Sequence, residues 1–370
     1  LAQCPNGRLL VGHTAGAHVF DGKKWAEYKL KGVTSPSGIA CDAKNNVWLS
    51  HYGGVSQFDG KRWTTYPASS IAKGEDALVS ALVKDIAVAP SGAVWVATPN
   101  SIARFDGKTW TVYREGKGFS KKYFFEKIAL DAKGYPRAAV NGGVLAFDGK
   151  SWELLENRDL LNPQATLVDA DGRILVGDAN GLFLYEDGAW SRIAEEKLGD
   201  RSVRSLATDK QGRLWIGTDY GLHIVKDDRW THYYMHNSDL ASNDIRVILT
   251  QGNGPALPQP ISKKPGSISG SLVKGNKPLA NVKVEVCVRP LGFFYQGGTP
   301  CSSQPFFKGA LTDRAGKFRI TDLPVGNYVL TAEGAPGEWA QLTAFFGGSE
   351  FVPVAAGKDT ALGELTVEDK

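Results

Sequence analysis

Residues 212–230 read Gly-Arg-Leu-Trp-Ile-Gly-Thr-Asp-Tyr-Gly-Leu-His-Ile-Val-Lys-Asp-Asp-Arg-Trp. The same nineteen-position frame returns without a gap at 7–25, 45–63, 92–110, 134–152 and 172–190. Nine steps into each copy stands a small residue: Gly16, Gly54, Ser101, Gly143, Gly181 or Gly221. Five residues before each closing Trp stands a larger apolar one: Phe20, Phe58, Phe105, Phe147, Tyr185 or Val225. Self-similarity at about 40 residues, with several strands per copy, reads as a propeller.

Each frame is preceded by a short apolar or alternating run, such as Ser205-Leu206-Ala207-Thr208-Asp209, whose small residues suit an inner strand crowded around an axis. We label this strand A. A polar turn leads to strand B (Leu214-Trp215-Ile216-Gly217 in the last copy), and the recurrent small residue opens strand C. Asp-Gly-Lys follows in four copies, at Asp21, Asp59, Asp106 and Asp148. An Asp-Gly between apolar runs predicts a type I′ hairpin with φ > 0 at both central residues. Strand D starts at the closing Trp. The closing Trp is expected to pack between adjacent blades. Six copies predict six four-stranded antiparallel blades.

The intervals from closing Trp to the next frame are 20, 29, 24, 20 and 22 residues, so the length variation falls on the D–A connections. D–A and B–C connections emerge on one face of such a blade, and variable loops on a fixed scaffold are where binding usually sits. The longest lie near 67–78 and 114–124. The second carries Lys117, Lys121, Lys122, Tyr123 and Phe124, a basic and aromatic cluster. Ile245-Arg246-Val247-Ile248-Leu249-Thr250 reads as a seventh strand A with nothing after it, and is expected to close the ring as the inner strand of the first blade. Residues 1–4 compete for that place.

The motif Gly212-Arg213-Leu214-Trp215-Ile216-Gly217-Thr218 with Tyr220-Gly221-Leu222, and the connector 237–245, resemble the two-component-regulator propeller repeat. The resemblance covers 1–250 and weakens in the fourth copy, where Tyr135-Pro136-Arg137-Ala138 stands in place of the Leu-Trp core. It implies a periplasmic or extracellular recognition domain, often of a carbohydrate sensor. Residues 251–370 are not expected to hold a helical transmembrane segment or a kinase.

Residues 251–266 hold four prolines and read as an extended, fairly stiff linker. Beyond it, 267–273 and 278–286 alternate as strands. With Thr312-Asp313-Arg314-Ala315-Gly316-Lys317-Phe318 and the run through Leu330, residues 267–370 are similar to the carboxypeptidase regulatory-like, transthyretin-like family. That resemblance implies a non-catalytic seven-stranded β-sandwich. Phe345 and Phe346 are expected in its core.

Composition narrows the function classes. The 370 residues are 42% hydrophobic, enough for a large and a small domain, and a net charge of +4 gives no case for nucleic acid. No apolar run approaches a membrane span. The chain starts at Leu1, which is consistent with a removed secretion signal or a domain cut; export is the expectation. Cys287 and Cys301 are 14 residues apart, and a bridge between them would contribute about 3 kcal/mol. It would imply an oxidising compartment. Cys41 reads either as a buried small hydrophobe or as a partner for Cys4.

There is no Cys-x-x-Cys, haem, His-Glu-x-x-His or phosphate-loop motif, so neither cofactor nor metal is expected. Asp169-Ala170-Asp171-Gly172 looks like the start of a calcium loop but lacks the later ligands and reads as a plain turn. His232 and His236 would bind a metal only if their loop brought them together. His13 and His51 hold equivalent places and are candidates for one shared pore mouth.

The expected protein is therefore a secreted, non-enzymatic recognition or assembly protein whose ligand is a glycan or another protein. Its candidate contacts, chosen by geometry, are the B–C residues His51, Tyr52, Asn100, Asn141, Asp178, Asn180, Asp219 and Tyr220. Two other readings stand beside it. One is a propeller-type lyase using His51, Tyr52, Asp219 and Tyr220. The other is a self-assembling subunit of an extracellular layer or filament.

Overall fold

A computed structural model describes all residues except 14–15, 31–33, 72–79, 200, 236, 239, 241, 251–262, 289–298, 300, 302–306, 336–337, 343–350 and 368–370. The linker core, the loop beyond Ile71, His236, Phe345 and Phe346 thus lie outside the described residues. The described chain is all-β apart from one 3-10 turn, Ala68–Ser70, and a four-residue helix α1, Glu195–Leu198. It falls into two compact units: Leu1–Trp230 with Asp244–Ala256, and Thr231–Asn243 with Leu257–Lys370.

Every copy of the frame folds as a meander in sequence order. Sheet 1 is β1 (Ala2–Gln3), β2 (Leu9–His13), β3 (Gly16–Phe20) and β4 (Trp25–Lys29). Sheet 2 is β5 (Thr34–Cys41), β6 (Val47–Tyr52), β7 (Gly54–Phe58) and β8 (Trp63–Pro67). Sheet 3 is β9 (Asp85–Val88), β10 (Val94–Thr98), β11 (Ser101–Phe105) and β12 (Trp110–Glu115), with β13 (Gly118–Phe119) added parallel to β12. Sheet 4 is β14 (Ile128–Leu130), β15 (Pro136–Val140), β16 (Gly143–Phe147) and β17 (Trp152–Glu156). Sheet 5 is β18 (Pro163–Val168), β19 (Ile174–Asp178), β20 (Gly181–Glu186) and β21 (Ala189–Ile193). Sheet 6 is β22 (Val203–Thr208), β23 (Leu214–Thr218), β24 (Gly221–Lys226) and β25 (Arg229–Tyr233). Inner strands of successive sheets lie side by side from sheet 1 to sheet 6.

Local chemistry explains the constant frame. At Gly54 and Gly143, φ is +146° and +150°, and a Cβ would stand 2.2 Å from Tyr66 O and 2.3 Å from Leu155 O. Only glycine allows strand C to start that close to strand D. The Asp-Gly-Lys turns differ from the expected type I′. Phe105 pairs with Trp110, leaving four residues in the loop, and only Gly107 has φ > 0. Asp106 Oδ1 accepts the backbone N–H groups of Lys108 and Thr109 at 2.8 Å, closing the turn with a side chain. Type I′ turns occur instead in sheets 5 and 6, where φ is positive at Asp187 and Gly188, and at Asp227 and Asp228.

Between sheets, four frame positions meet. The fourth residue of one copy and the residue three past its closing Trp face the apolar and Trp positions of the next copy. Sheets 2 and 3 bring together Trp48, Tyr66, Phe105 and Trp110. Sheets 3 and 4 bring together Trp95, Tyr113, Phe147 and Trp152. Closing Trp residues of sheets 2 to 6 join clusters with the preceding sheet, as expected, but are only partly buried. Trp95, only 1% exposed, is the deeper wedge. Trp25 of sheet 1 departs from the pattern and is 54% exposed.

The segment 245–250 does not become the inner strand of sheet 1. That place belongs to β1, which pairs Ala2 with Leu10 and Gln3 with Leu9. Instead the Ile245 N–H donates to Thr218 O at 2.8 Å, and the Ile248 N–H donates to Ser205 Oγ at 2.7 Å. A Cβ on Gly217 would lie 2.7 Å from Ile245 O, just as one on Gly177 would lie 2.5 Å from Val203 O. The segment therefore covers sheet 6 as β22 covers sheet 5.

Both disulfides are formed. Cys4–Cys41 ties the end of β1 to β5, with Cα atoms 5.1 Å apart, and Cys287–Cys301 has its Cα atoms 5.3 Å apart. Chain entropy puts their contributions at about 4 and about 3 kcal/mol.

In the second unit, β26 (Gly266–Lys274) pairs with β27 (Lys277–Pro278), β30 (Lys317–Leu323) and β34 (Asp359–Thr366). A second sheet joins β28 (Lys283–Cys287), β29 (Phe307–Leu311), β31 (Gly326–Ala335), β32 (Glu338–Gln341) and β33 (Val352–Val354). Ile268, Leu272, Phe318 and Ile320 of the first sheet share one core with Val284, Val286, Tyr328 and Leu330 of the second. The Tyr328 hydroxyl donates to Pro324 O at 2.7 Å. The Lys263 ammonium donates to Met235 O at 3.1 Å, which helps fix 231–243 in this unit.

Candidate functional site

The B–C turns are tied to the D–A connections beside them. Gly53 donates to Ala81 O and accepts from Ala68 N–H, each at 2.8 Å. In sheet 4, Gly142 donates to Leu160 O at 2.8 Å, and in sheet 6 Asp219 donates to Ser202 O at 3.1 Å. Variable connections are thereby anchored on a constant turn.

This anchoring uses several of the expected contact residues structurally. Asp178 is fully buried; its carboxylate accepts the Asn162 N–H at 2.8 Å and the Asn180 N–H at 3.1 Å. His51 is buried, with Nε2 3.0 Å from Ser56 Oγ and Nδ1 2.8 Å from Tyr52 O. Both ring nitrogens are engaged within sheet 2. Tyr220 is buried beneath the Arg201 guanidinium, which lies 5.4 Å from its ring centroid. Asn100 and Asp219 are half-buried, whereas Tyr52, Asn141 and Asn180 are exposed. His13 stacks on His18 of its own sheet at 4.3 Å. Of the residues in the lyase reading, His51 is committed to its own sheet, Tyr220 is buried and Tyr52 is exposed.

The loop at 114–124 also differs from expectation. β13 adds Phe119 to the sheet, and Phe119, Tyr123 and Phe125 are core between sheets 3 and 4. Of the loop's rings only Phe124 is exposed, together with Lys117, Lys121 and Lys122, and Lys121 lies 5.4 Å from the Tyr123 ring centroid.

Asn180 is an expected residue that lines a concavity. A cavity of about 500 Å³ at sheet 5 is lined by Asn157, Arg158, Asp159, Leu161, Asn180, Phe183, Trp190, Ser191 and Arg192. Its rim is the D–A connection 157–161 and the B–C turn of sheet 5. Arg192 donates to Asn180 O at 2.6 Å and to Glu195 at 3.0 Å. Arg158, largely in solvent, meets Glu156 at 3.1 Å. The connection was short and unremarkable in the sequence, which hid it behind the two longer loops.

The strand A–B turns carry charge but no open ligand set. Asp169 Oδ1 accepts Asp171 N–H and Arg173 N–H, both at 3.0 Å, and its Oδ2 accepts Arg173 Nε–H at 2.7 Å. The calcium-like start is a turn, as expected. Asp209 is held the same way. Burial pushes its carboxyl up, but hydrogen bonds from the Trp215 indole and from Arg213 outweigh this and bring it down to about 2. Asp85, half-buried in β9, is pushed up by loss of solvent; it accepts the Ile128 N–H at 3.1 Å, linking two inner strands.

One group with metal-ligand chemistry occurs among the described residues. His13, His18 and Glu27 each bring a ligand atom within 4.8 Å of the others. His18 and Glu27 are directly opposite across β3 and β4, a juxtaposition visible only once register is known. Lys29 Nζ already lies 3.4 Å from Glu27.

The two component regulator propeller family model matches residues 197–220, the end of one D–A connection and strands A and B of sheet 6. No curated protein matches the chain significantly in sequence. Among solved structures, the chain is similar to the extracellular domain of BT4673 from B. thetaiotaomicron, with TM-score 0.53 and 18% identity over 67% of this chain and 35% of that one. The extracellular domain of BT3049 from B. thetaiotaomicron aligns with TM-score 0.55 and 14% identity, over 91% of this chain and 53% of that one. A catalytically inactive virginiamycin B lyase from Staphylococcus aureus, solved with quinupristin, aligns with TM-score 0.52 and 13% identity, over 64% and 82%. The chain thus spans about a third and about half of the two B. thetaiotaomicron domains. At these identities the likeness is one of fold: propeller-like, all-β. No helix among the described residues is long and apolar enough to cross a membrane.

Proposed function

We propose that this is a non-enzymatic recognition protein of the extracellular or periplasmic space. In this reading residues 1–250 form a six-bladed β-propeller, 251–266 a linker, and 267–370 a carboxypeptidase regulatory-like β-sandwich. The propeller loop face binds a glycan or a protein partner. The observation that carries the reading is the 500 Å³ cavity at sheet 5, where Asn157, Arg158, Asp159, Asn180 and Arg192 converge around Trp190. Amides and guanidiniums that hydrogen-bond hydroxyls or carboxylates, beside an indole that stacks on a sugar face, suit a polar glycan. Two disulfides fit an oxidising compartment.

The test is a glycan array with the full chain and with Asn180→Ala and Arg158→Ala. The expected result is binding that each variant weakens at least about tenfold, near 1.4 kcal/mol. Binding to no glycan would remove that ligand class, and binding indifferent to both variants would remove this cavity.

A second reading, self-assembly, is favoured by Trp25. Its equivalents lean on a preceding sheet, while it presents 54% of its surface to solvent. Light scattering distinguishes the two: a concentration-dependent oligomer that Trp25→Ser abolishes supports assembly, and a monomer at all concentrations contradicts it.

A further inference from the structure

The gap between sheets 5 and 6 is built from the positions that hold an aromatic cluster between sheets 3 and 4. Trp95 becomes Leu175, Tyr113 becomes Ile193, Phe147 becomes Val225, and only the closing Trp survives, as Trp230. A cavity of about 650 Å³ opens there, and all four residues line it. That is within the usual size range of small-molecule sites, roughly 300–1,000 Å³. Neighbouring seams thus show what shape the space accepts: flat rings, edge-on or tilted against an indole.

The rim adds a charge preference. Five carboxylates and three cations surround the cavity. Asp169 and Asp209 are already paired with Arg173 and Arg213. Asp227 and Asp228, adjacent and exposed in the C–D turn, have no such partner among the described residues. Their backbone is left-handed at both residues, which fixes the two side chains at the tip of the turn. An indole face beside unpaired carboxylates attracts a cation attached to an aromatic ring.

We propose that this seam is a binding site for a planar aromatic group carrying a positive charge, as in an aromatic amine or an aromatic residue of a basic peptide. It is separate from the loop-face cavity of the proposed function and does not depend on it.

The experiment is an NMR titration of the isotope-labelled full chain with L-tryptophan amide, N-acetyltryptophan and lysine amide. Tryptophan amide is expected to give saturable shifts in β20, β23 and β24 with a dissociation constant of about 1 mM or tighter. The acetylated acid should bind at least about threefold more weakly, and lysine amide should not saturate. Val225→Phe, which restores a ring found in other seams, should weaken tryptophan amide about tenfold or more while the chain stays folded. Leu184→Phe, from the facing sheet, provides an independent block. In Asp227→Asn/Asp228→Asn the preference for the cation should vanish. No saturable shift with tryptophan amide, equal binding of the acetylated acid by the unaltered chain, or undiminished binding in both filling variants would each overturn the proposal. Should tryptophan amide bind, an aromatic-basic peptide tested alongside it distinguishes a peptide source from a free amine.

Discussion

Between sheets 3 and 4, Trp95, Tyr113, Phe147 and Trp152 are in mutual ring contact, and Phe119 meets Trp152 edge-on at 5.2 Å. Between sheets 5 and 6 the same frame positions hold Leu175, Ile193, Val225 and Trp230 around a cavity. The register from strand B to strand C is the same in all four sheets. The difference therefore lies in side-chain volume at these positions and in β13, which adds Phe119 to the filled seam. One frame produces both a filled wedge and an open seam, which separates what keeps the sheets together from what is left free to bind.

The comparison can be broken in graded steps. Trp95→Ala empties the filled seam at its deepest residue and is expected to cost about 3–5 kcal/mol in denaturant unfolding. A cost under about 1 kcal/mol would mean that the aromatic cluster does not hold sheets 3 and 4 together. Asp209→Asn acts on the rim of the open seam. Its carboxyl sits at about 2 when folded against an ordinary 3.8, a depressed value. Its charge therefore stabilises the fold above about pH 4, and that contribution, about 2 kcal/mol, disappears as pH falls towards 2. The variant should lose about that much at pH 7 and show a flatter acid-unfolding profile between pH 4 and 2. An unchanged acid profile would contradict the hydrogen bonds assigned to this carboxylate. Val225→Phe sharpens the comparison from the other side. Filling the open seam is expected to raise stability by about 1 kcal/mol, seen as a higher Tm; a lowered Tm would mean the seam cannot accept a ring.

The frame, its strand order and its recurrent glycine were legible because each is local: Gly54 and Gly143 announce a close strand start wherever they fall. The Cys4–Cys41 bridge was left open, since two inner-strand segments become neighbours only in the assembled fold. The state of each seam was illegible for a related reason. A seam combines position four of one copy with positions fourteen and nineteen of the next, so reading one copy at a time shows a Leu at 175 and a Val at 225 as ordinary core. The candidate contacts fared unevenly. Burial took Asp178, His51 and Tyr220 into the scaffold, because B–C turns must satisfy the connections that cross them, and left Asn180 on a cavity rim. Ring closure by 245–250 was misread for want of register: its N–H groups find Thr218 and Ser205 before they reach sheet 1.

The claim that equivalent positions produce one filled and one open seam is tested most directly by removing the same side chain from each. Trp152→Ala and Trp230→Ala delete a closing Trp from the same frame place, one packed among rings and one lining a cavity. Equilibrium unfolding in denaturant should show Trp152→Ala costing about 3 kcal/mol and Trp230→Ala about 1 kcal/mol. Equal costs, or a larger cost at Trp230, would contradict the account.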